Sequence, residues 1–200
     1  MSRVDDSKPT PLVGVVCLAL VALVAAGCSD EPPNGAGVGD SAGDPPTTIA
    51  ATWETYDSVD ALAHDATLVA VVTMGPESRR EPLVMEDGTQ VAIDVIHTAQ
   101  VVRVLAGDQA LDSASIEVTY ADFGGSADSE GNITPYREGE RLVMFLVPLG
   151  RLAGVWAPLS ANLGIFEFTS DTQLVNRGTV GAMAGKRISL DELARSVTGD

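Results

Sequence analysis

The sequence predicts a mainly β domain: a small barrel of five or more strands, with a short helix before the barrel and a capping helix after it. Most apolar residues after position 50 follow the two-residue period of strands or form short apolar runs. Only two segments show helical spacing, one near each end of this region. The predicted domain, residues 51–200, has the length expected of one domain with one core.

The first predicted elements are a helix and a strand. Four apolar residues recur with helical spacing after a cap at Asp57 or Ser58, namely Val59, Leu62, Ala63 and Ala66. Residues 67–74 are apolar on both faces and are followed by Gly75 and Pro76. We therefore expect a strand that ends at this Gly-Pro pair and is either buried on both faces or curved around a barrel core.

A hairpin with an unusually long second arm is predicted next. Residues 82–85 and 91–96 flank a turn at residues 86–89, which contains the Asp-Gly pair typical of tight hairpins. The second arm continues to Leu105, and its apolar phase shifts near Ile96. An extra residue in a strand produces such a shift, so we expect a bulge that bends the long strand around two sides of the barrel.

Five further strands follow. Apolar residues alternate with Glu and Thr in residues 116–120, which is typical of a half-exposed strand. Residues 141–147 are the most apolar segment of the domain and are expected at its centre. Shorter segments complete the set at residues 154–157, 164–168 and 173–175.

The last predicted element is a helix with a well-defined start. Ser189 and Glu192 have the spacing of a capping box, and Ile188 can pack on Leu193 as a hydrophobic staple. The helix then presents one apolar stripe. We expect it to cover a barrel end or a sheet edge, which would otherwise be open to unwanted strand pairing.

Two short motifs link this order of elements to a known family. A VLxG pattern follows the long strand at residues 104–107, and a GERxxxF pattern spans residues 139–145. From about residue 63 to residue 155 the chain resembles the netrin-like domains, the OB-type barrels shared with the tissue inhibitors of metalloproteinases. The resemblance implies a five-stranded barrel with helical additions. It does not imply protease inhibition. Those inhibitors chelate zinc through a free N-terminal cysteine held by disulfides, whereas the predicted domain of this chain contains no cysteine.

The N-terminal region has the features of a targeting signal. Residues 11–27 contain no charged side chain, and the small residues of Val24-Ala25-Ala26-Gly27 lead directly to Cys28. This segment resembles the lipobox of bacterial lipoproteins. The resemblance implies that residues 1–27 are a signal peptide, and that Cys28 becomes the first residue and carries a diacylglyceryl thioether with fatty acyl chains such as palmitate. The alternative is an uncleaved transmembrane helix, for which this run lies at the lower length limit.

Lipidation at Cys28 would place the protein on the extracytoplasmic face of the cell membrane, held by its acyl chains. Residues 28–50 would then form the acylated cysteine and a tether rich in Gly, Pro and Asp, with too little apolar surface to fold. With Cys17 removed by cleavage and Cys28 acylated, no thiol remains for a disulfide or a zinc site.

Charge and composition exclude one class of partner. The chain has a formal net charge of −16, and aromatic residues make up 4% of it. A negative surface repels nucleic-acid phosphates, and few aromatic residues leave few stacking platforms for bases. We therefore expect no nucleic-acid binding and no polybasic contact with the membrane.

The sequence contains no recognisable catalytic motif, so we expect a protein that is not an enzyme and holds no cofactor or metal. His64 is expected near a helix end. His97 lies three residues after Asp94, which places the two on opposite faces of a regular strand unless a bulge intervenes. Ser126 could approach His97 only through an arrangement that the sequence does not reveal.

The loop at residues 121–140 is the best candidate for a binding surface, because long loops on compact domains are often functional. Asp128 and Glu130 offer hard oxygen atoms, but their spacing does not match a calcium loop. Phe123 and Tyr136 are aromatic candidates for a protein contact, or else they pack onto the barrel mouth. We therefore take Phe123, Asp128, Glu130 and Tyr136 as the possible partner-binding residues.

These observations predict a membrane-anchored, non-catalytic binding module for a protein or another envelope component. The alternative is a carrier that holds a small ligand within the barrel, or an enzyme of unrecognised type.

Overall fold

The computed structural model describes residues 55–123, 134–179 and 181–199. These residues belong to one compact unit, Thr47–Asp200. The predicted signal peptide, Cys28 and the predicted tether lie outside the described residues.

The described residues form a mainly β structure with an α-helix near each end, as the sequence predicts. The helices are α1 (Val59–Asp65) and α2 (Leu190–Thr198), and two short 3-10 helices span Gln109–Leu111 and Ala161–Gly164. The strands are β1 (Leu68–Val84), β2 (Gln90–Ala106), β3 (Ser115–Asp122), β4 (Arg141–Pro148), β5 (Val155–Pro158), β6 (Ile165–Phe168), β7 (Gln173–Asn176) and β8 (Arg187–Ser189).

Five of the strands pair in a closed order, which we call the five-strand ring. β1 pairs with β2, β2 with β3, β3 with β5, β5 with β4, and β4 pairs again with β1. The β3–β5 pairing is parallel and the other four are antiparallel. β6, β7 and β8 extend the sheet from β4.

β4 and residues 68–74 of β1 separate two apolar clusters, which explains why both of these segments are apolar on both faces. Alternate side chains of these strands enter the ring core, namely Leu68, Ala70, Val72 and Met74 of β1 and Leu142, Met144 and Leu146 of β4. The intervening side chains enter an outer core, shared with α1, α2 and β6–β8, namely Val69, Val71, Val143 and Phe145. β4 pairs with three strands and is buried along most of its length, so its predicted central position is confirmed.

The predicted end of the first strand at Gly75 and Pro76 is wrong, because β1 runs on to Val84. The register against β2 shifts twice between Met74 and Arg79, so β1 carries extra residues at this point. A bulge accommodates a proline that cannot donate a ladder hydrogen bond. Gly75 also passes so close to Thr98 that an added Cβ would lie 2.2 Å from its Oγ1. The Gly-Pro pair therefore bends the strand without ending it.

β2 carries three extra residues, and none of them lies at the predicted phase shift near Ile96. One lies at the start of the strand, where Leu83 pairs with Ala92 and Val84 with Gln90. The others lie between Val101 and Arg103 and between Val104 and Ala106. Val102 is consequently 46% exposed and does not face the core. Next to Ile96 the extra residue lies on β1 and not on β2, because Glu77 pairs with His97 and Arg79 with Ile96.

Both helices begin as predicted. The Ser58 side chain accepts a hydrogen bond from the Ala61 N–H, and the Ser189 side chain accepts one from Glu192. α2 lies against α1 and buries Leu193 in the outer core. Among the described residues, no helix has the length and apolar character needed to cross a membrane.

Candidate functional site

The predicted partner-binding loop, residues 121–140, begins later than expected, because Ala121 and Asp122 belong to β3. Its residues 124–133 lie outside the described residues, and the described chain resumes at Thr134. Phe123 is half-buried, whereas Tyr136 is only 6% exposed. Asp128 and Glu130, like Ser126, lie outside the described residues. Tyr136 thus packs onto the domain rather than presenting its ring to a partner, which is the second of the two roles considered for it.

Tyr136 is held in a cluster of three rings at one end of the ring core. Its ring centroid lies 5.6 Å from that of His97 and 5.3 Å from that of Tyr120, and both contacts are close to perpendicular. The hydroxyl donates a hydrogen bond of 3.4 Å to the carbonyl oxygen of Thr119. Burial raises the pKa of Tyr136 above its ordinary value, so this phenol stays neutral and remains a donor.

The segment that carries Tyr136, residues 134–140, is bound to β1 by its backbone. We call this segment the loop seat. Gly139 N donates to Met74 O, and Met74 N donates to Glu140 O, each at 2.8 Å. A carboxylate oxygen of Glu140 accepts from Arg137 N at 3.2 Å. The C-terminal part of the predicted loop is therefore held against β1.

Arg177 joins the loop seat to the strands beyond the ring. Its side chain is 4% exposed and forms ion pairs with Glu140 of the loop seat and Glu167 of β6. Its Nη1 also donates to Thr134 O at 3.5 Å. On the other side, Thr134 N donates to the side-chain oxygen of Asn162 at 3.2 Å.

His97 and Asp94 do not act together. His97 packs on Tyr120 and Tyr136, and its Nδ1 lies 3.2 Å from the carbonyl oxygen of Gly75. A carbonyl can only accept, so Nδ1 holds the proton in this contact. Asp94 is 1% exposed and is paired with Arg151 by two hydrogen bonds. Both side chains thus have structural partners.

The other candidate positions offer little chemistry. His64 is exposed in the last turn of α1. Within the described ranges, no group of three or more His, Cys, Asp or Glu side chains is placed to hold a metal ion. A shallow open depression lies between the two helices and is lined by Asp60, Glu192, Arg195, Ser196 and Gly199.

Sequence reasoning missed the residues that hold the loop seat. Arg177 and Asn162 lie in short connections with no motif around them, and their partners are distant in sequence. Only Glu140 carried a signal, since it belongs to the GERxxxF pattern.

The sequence matches no protein-family model, and no curated protein matches it.

Proposed function

We propose that this protein is a bacterial lipoprotein, anchored through Cys28 at the extracytoplasmic face of the cell membrane, whose domain binds a protein or another envelope component through the loop at residues 121–140. The small residues before Cys28 support the anchor. The observation that carries the binding role is the ordered loop seat at the end of the five-strand ring.

The five-strand ring supports an OB-like barrel of the netrin-like kind. Its pairing order returns to β1 by way of β5 and β4, and its single parallel pairing joins β3 to β5. Helices near both ends agree with the helical additions that the resemblance implies. A barrel of this kind holds its connecting loops on a rigid scaffold, which suits a binding module.

The ring core favours a binding module over a carrier. Buried side chains from β1, β2, β3 and β4 fill its interior, among them Met74, Val95, Val118 and Met144. A ligand inside the ring would have to displace this packing, which is costly because protein cores are close-packed. A partner is therefore expected to contact the loop from outside.

Binding by the loop is proposed for Phe123, Asp128 and Glu130, while Tyr136 holds the loop seat in place. Phe123 is half-buried at the end of β3, next to the last strand residue, Asp122. An aromatic side chain offers apolar contact to a partner, and acidic side chains offer charge.

A retention experiment tests the binding role. The wild-type protein, a variant with residues 124–133 replaced by a short Gly-Ser linker, and a control with the hairpin turn 86–89 altered are immobilised and exposed to envelope extract. We expect the wild type and the turn control to retain the same defined components, and the loop variant to lose them. Equal retention by all three proteins would contradict binding through this loop.

A further inference from the structure

We infer that Asn162 and Arg177 are positioning residues that hold Thr134 from both sides and so fix the direction in which the partner-binding loop leaves the domain. This inference rests on the proposed function. Thr134 N donates to the Asn162 side chain, and Thr134 O accepts from Arg177. Both backbone groups of one residue are thus satisfied by side chains rather than by a strand partner.

The two side chains come from separate connections that both border β6. Asn162 belongs to the 3-10 helix Ala161–Gly164, which precedes β6. Arg177 directly follows β7, and its backbone N–H donates to Ile165 O at 2.9 Å. Thr134 is therefore tied to the strands beyond the ring, whereas residues 139 and 140 are tied to β1 within it.

Arg177 is held by two ion pairs in addition to its hydrogen bond with Thr134. Its Nε pairs with Glu167, its Nη2 with Glu140 and its Nη1 with Thr134 O. A planar guanidinium can serve three oxygen atoms in three directions, while the compact ammonium of a lysine cannot reproduce that fork. Lysine at this position would keep the charge but lose the geometry.

Asn162 is placed by a turn whose backbone is strained. Ser160 and Ala161 both have positive φ values, 51° and 53°, which are unfavourable for residues other than glycine. Strain of this kind persists only where the surrounding structure enforces it. The turn is held by contacts of its own, since Leu163 N donates to Ser160 O at 3.1 Å and the buried Asn176 side chain donates to Leu163 O at 2.7 Å. The position of Asn162 is thus set independently of Thr134.

A fixed exit direction strengthens binding without adding a contact. Ordering a free loop on association costs conformational entropy, and a loop that is already held at its base avoids part of this cost. Variants that release Thr134 should therefore weaken partner binding even though every proposed contact residue is still present.

Amide hydrogen exchange in the intact protein tests the positioning role without needing a partner. The variants are Asn162→Ala, which removes the acceptor, Asn162→Asp, which keeps an oxygen at the same place, and Arg177→Lys. The control is Arg187→Lys in β8, an exposed arginine. The Thr134 amide reports the change, because residue 135 is proline and has no amide proton. We expect this amide to exchange at least about tenfold faster in Asn162→Ala, which removes its acceptor, and also faster than in the wild type in Arg177→Lys, which releases Thr134 O. Asn162→Asp and the control should match the wild type.

Peptides from β4 report whether each variant keeps its fold, and they should exchange as in the wild type. If Arg177→Lys fails to fold, the Asn162→Ala and Asn162→Asp pair still decides the question. Unchanged exchange of the Thr134 amide in Asn162→Ala would overturn the inference. Equal acceleration by alanine and aspartate would also overturn it, because it would show that the acceptor oxygen is not what holds Thr134.

The same variants in the retention experiment separate this inference from the proposed function. We expect Asn162→Ala to release the retained envelope components several-fold faster than the wild type does. Retention that survives replacement of residues 124–133 would contradict the proposed function, while the exchange result would still decide the positioning role.

Discussion

Removing Arg151 should destabilise the domain because it leaves a buried carboxylate without its partner. Asp94 is 1% exposed and accepts two hydrogen bonds from the Arg151 guanidinium, one of them 2.7 Å long. Removing one member of a fully buried ion pair costs about 3–5 kcal/mol. The Arg151 side chain is 39% exposed, so water can reach the vacated site and lower that cost. We therefore expect Arg151→Met to lower the free energy of unfolding by roughly 2–3 kcal/mol.

Thermal and urea unfolding measure this loss. For a domain of this length, about 1 kcal/mol corresponds to a change in Tm of roughly 2–4 °C, so Tm should fall by about 4–12 °C. The matched control is Arg80→Met, which breaks a pair with Glu77 between side chains that are 53% and 41% exposed. Such surface pairs contribute about 1 kcal/mol or less. Equal effects of the two substitutions would refute the argument that burial of Asp94 makes its ion pair important.

Three further predictions concern single side chains. Gly107→Ala should lower the Tm more than Gly88→Ala. Both glycines have positive φ, but only at Gly107 would an added Cβ meet backbone, 2.5 Å from Thr67 O. Equal decreases in Tm would contradict this reasoning. Ser189→Ala should cost about 1 kcal/mol through loss of the α2 cap, and no change in Tm would count against that cap. Burial raises the pKa of Tyr136, so the folded protein keeps a proton that the unfolded chain releases above about pH 10. Stability should therefore be retained below this pH and fall above it, and urea titrations of Tyr136→Phe should show a shallower fall.

Local features were predictable from the sequence because their causes lie within a few residues. The caps at Ser58 and Ser189 and the turn after Val84 follow from nearest neighbours along the chain. The burial of β4 and of residues 68–74 of β1 on both faces also follows from sequence, since neither segment has a solvent-facing phase.

Features that depend on distant partners were not predictable in the same way. The continuation of β1 through Pro76 depends on an irregular pairing with β2, which no local pattern encodes. β8 is only three residues long and is a strand because β7 lies beside it. Arg177 joins groups 37 and 10 residues away, so its role at the loop seat appears only in the folded chain.

The expectation about Asp94 and His97 shows the same difference between local features and distant partners. The strand period placed Asp94 and His97 apart, and their contacts are separate in the structure. The partner of Asp94, however, is Arg151, which is 57 residues away in a connection between β4 and β5. Periodicity predicts the face on which a residue lies, but it does not identify what covers that face.

Mass spectrometry of the protein isolated from its native membrane tests the central proposal most directly. We expect the mature chain to begin at Cys28, with a mass increased by a thioether-linked diacylglyceryl group and its fatty acyl chains. An unmodified thiol at Cys28, or a chain that retains residues 1–27, would contradict the proposed lipid anchor and with it the placement of the binding domain at the membrane.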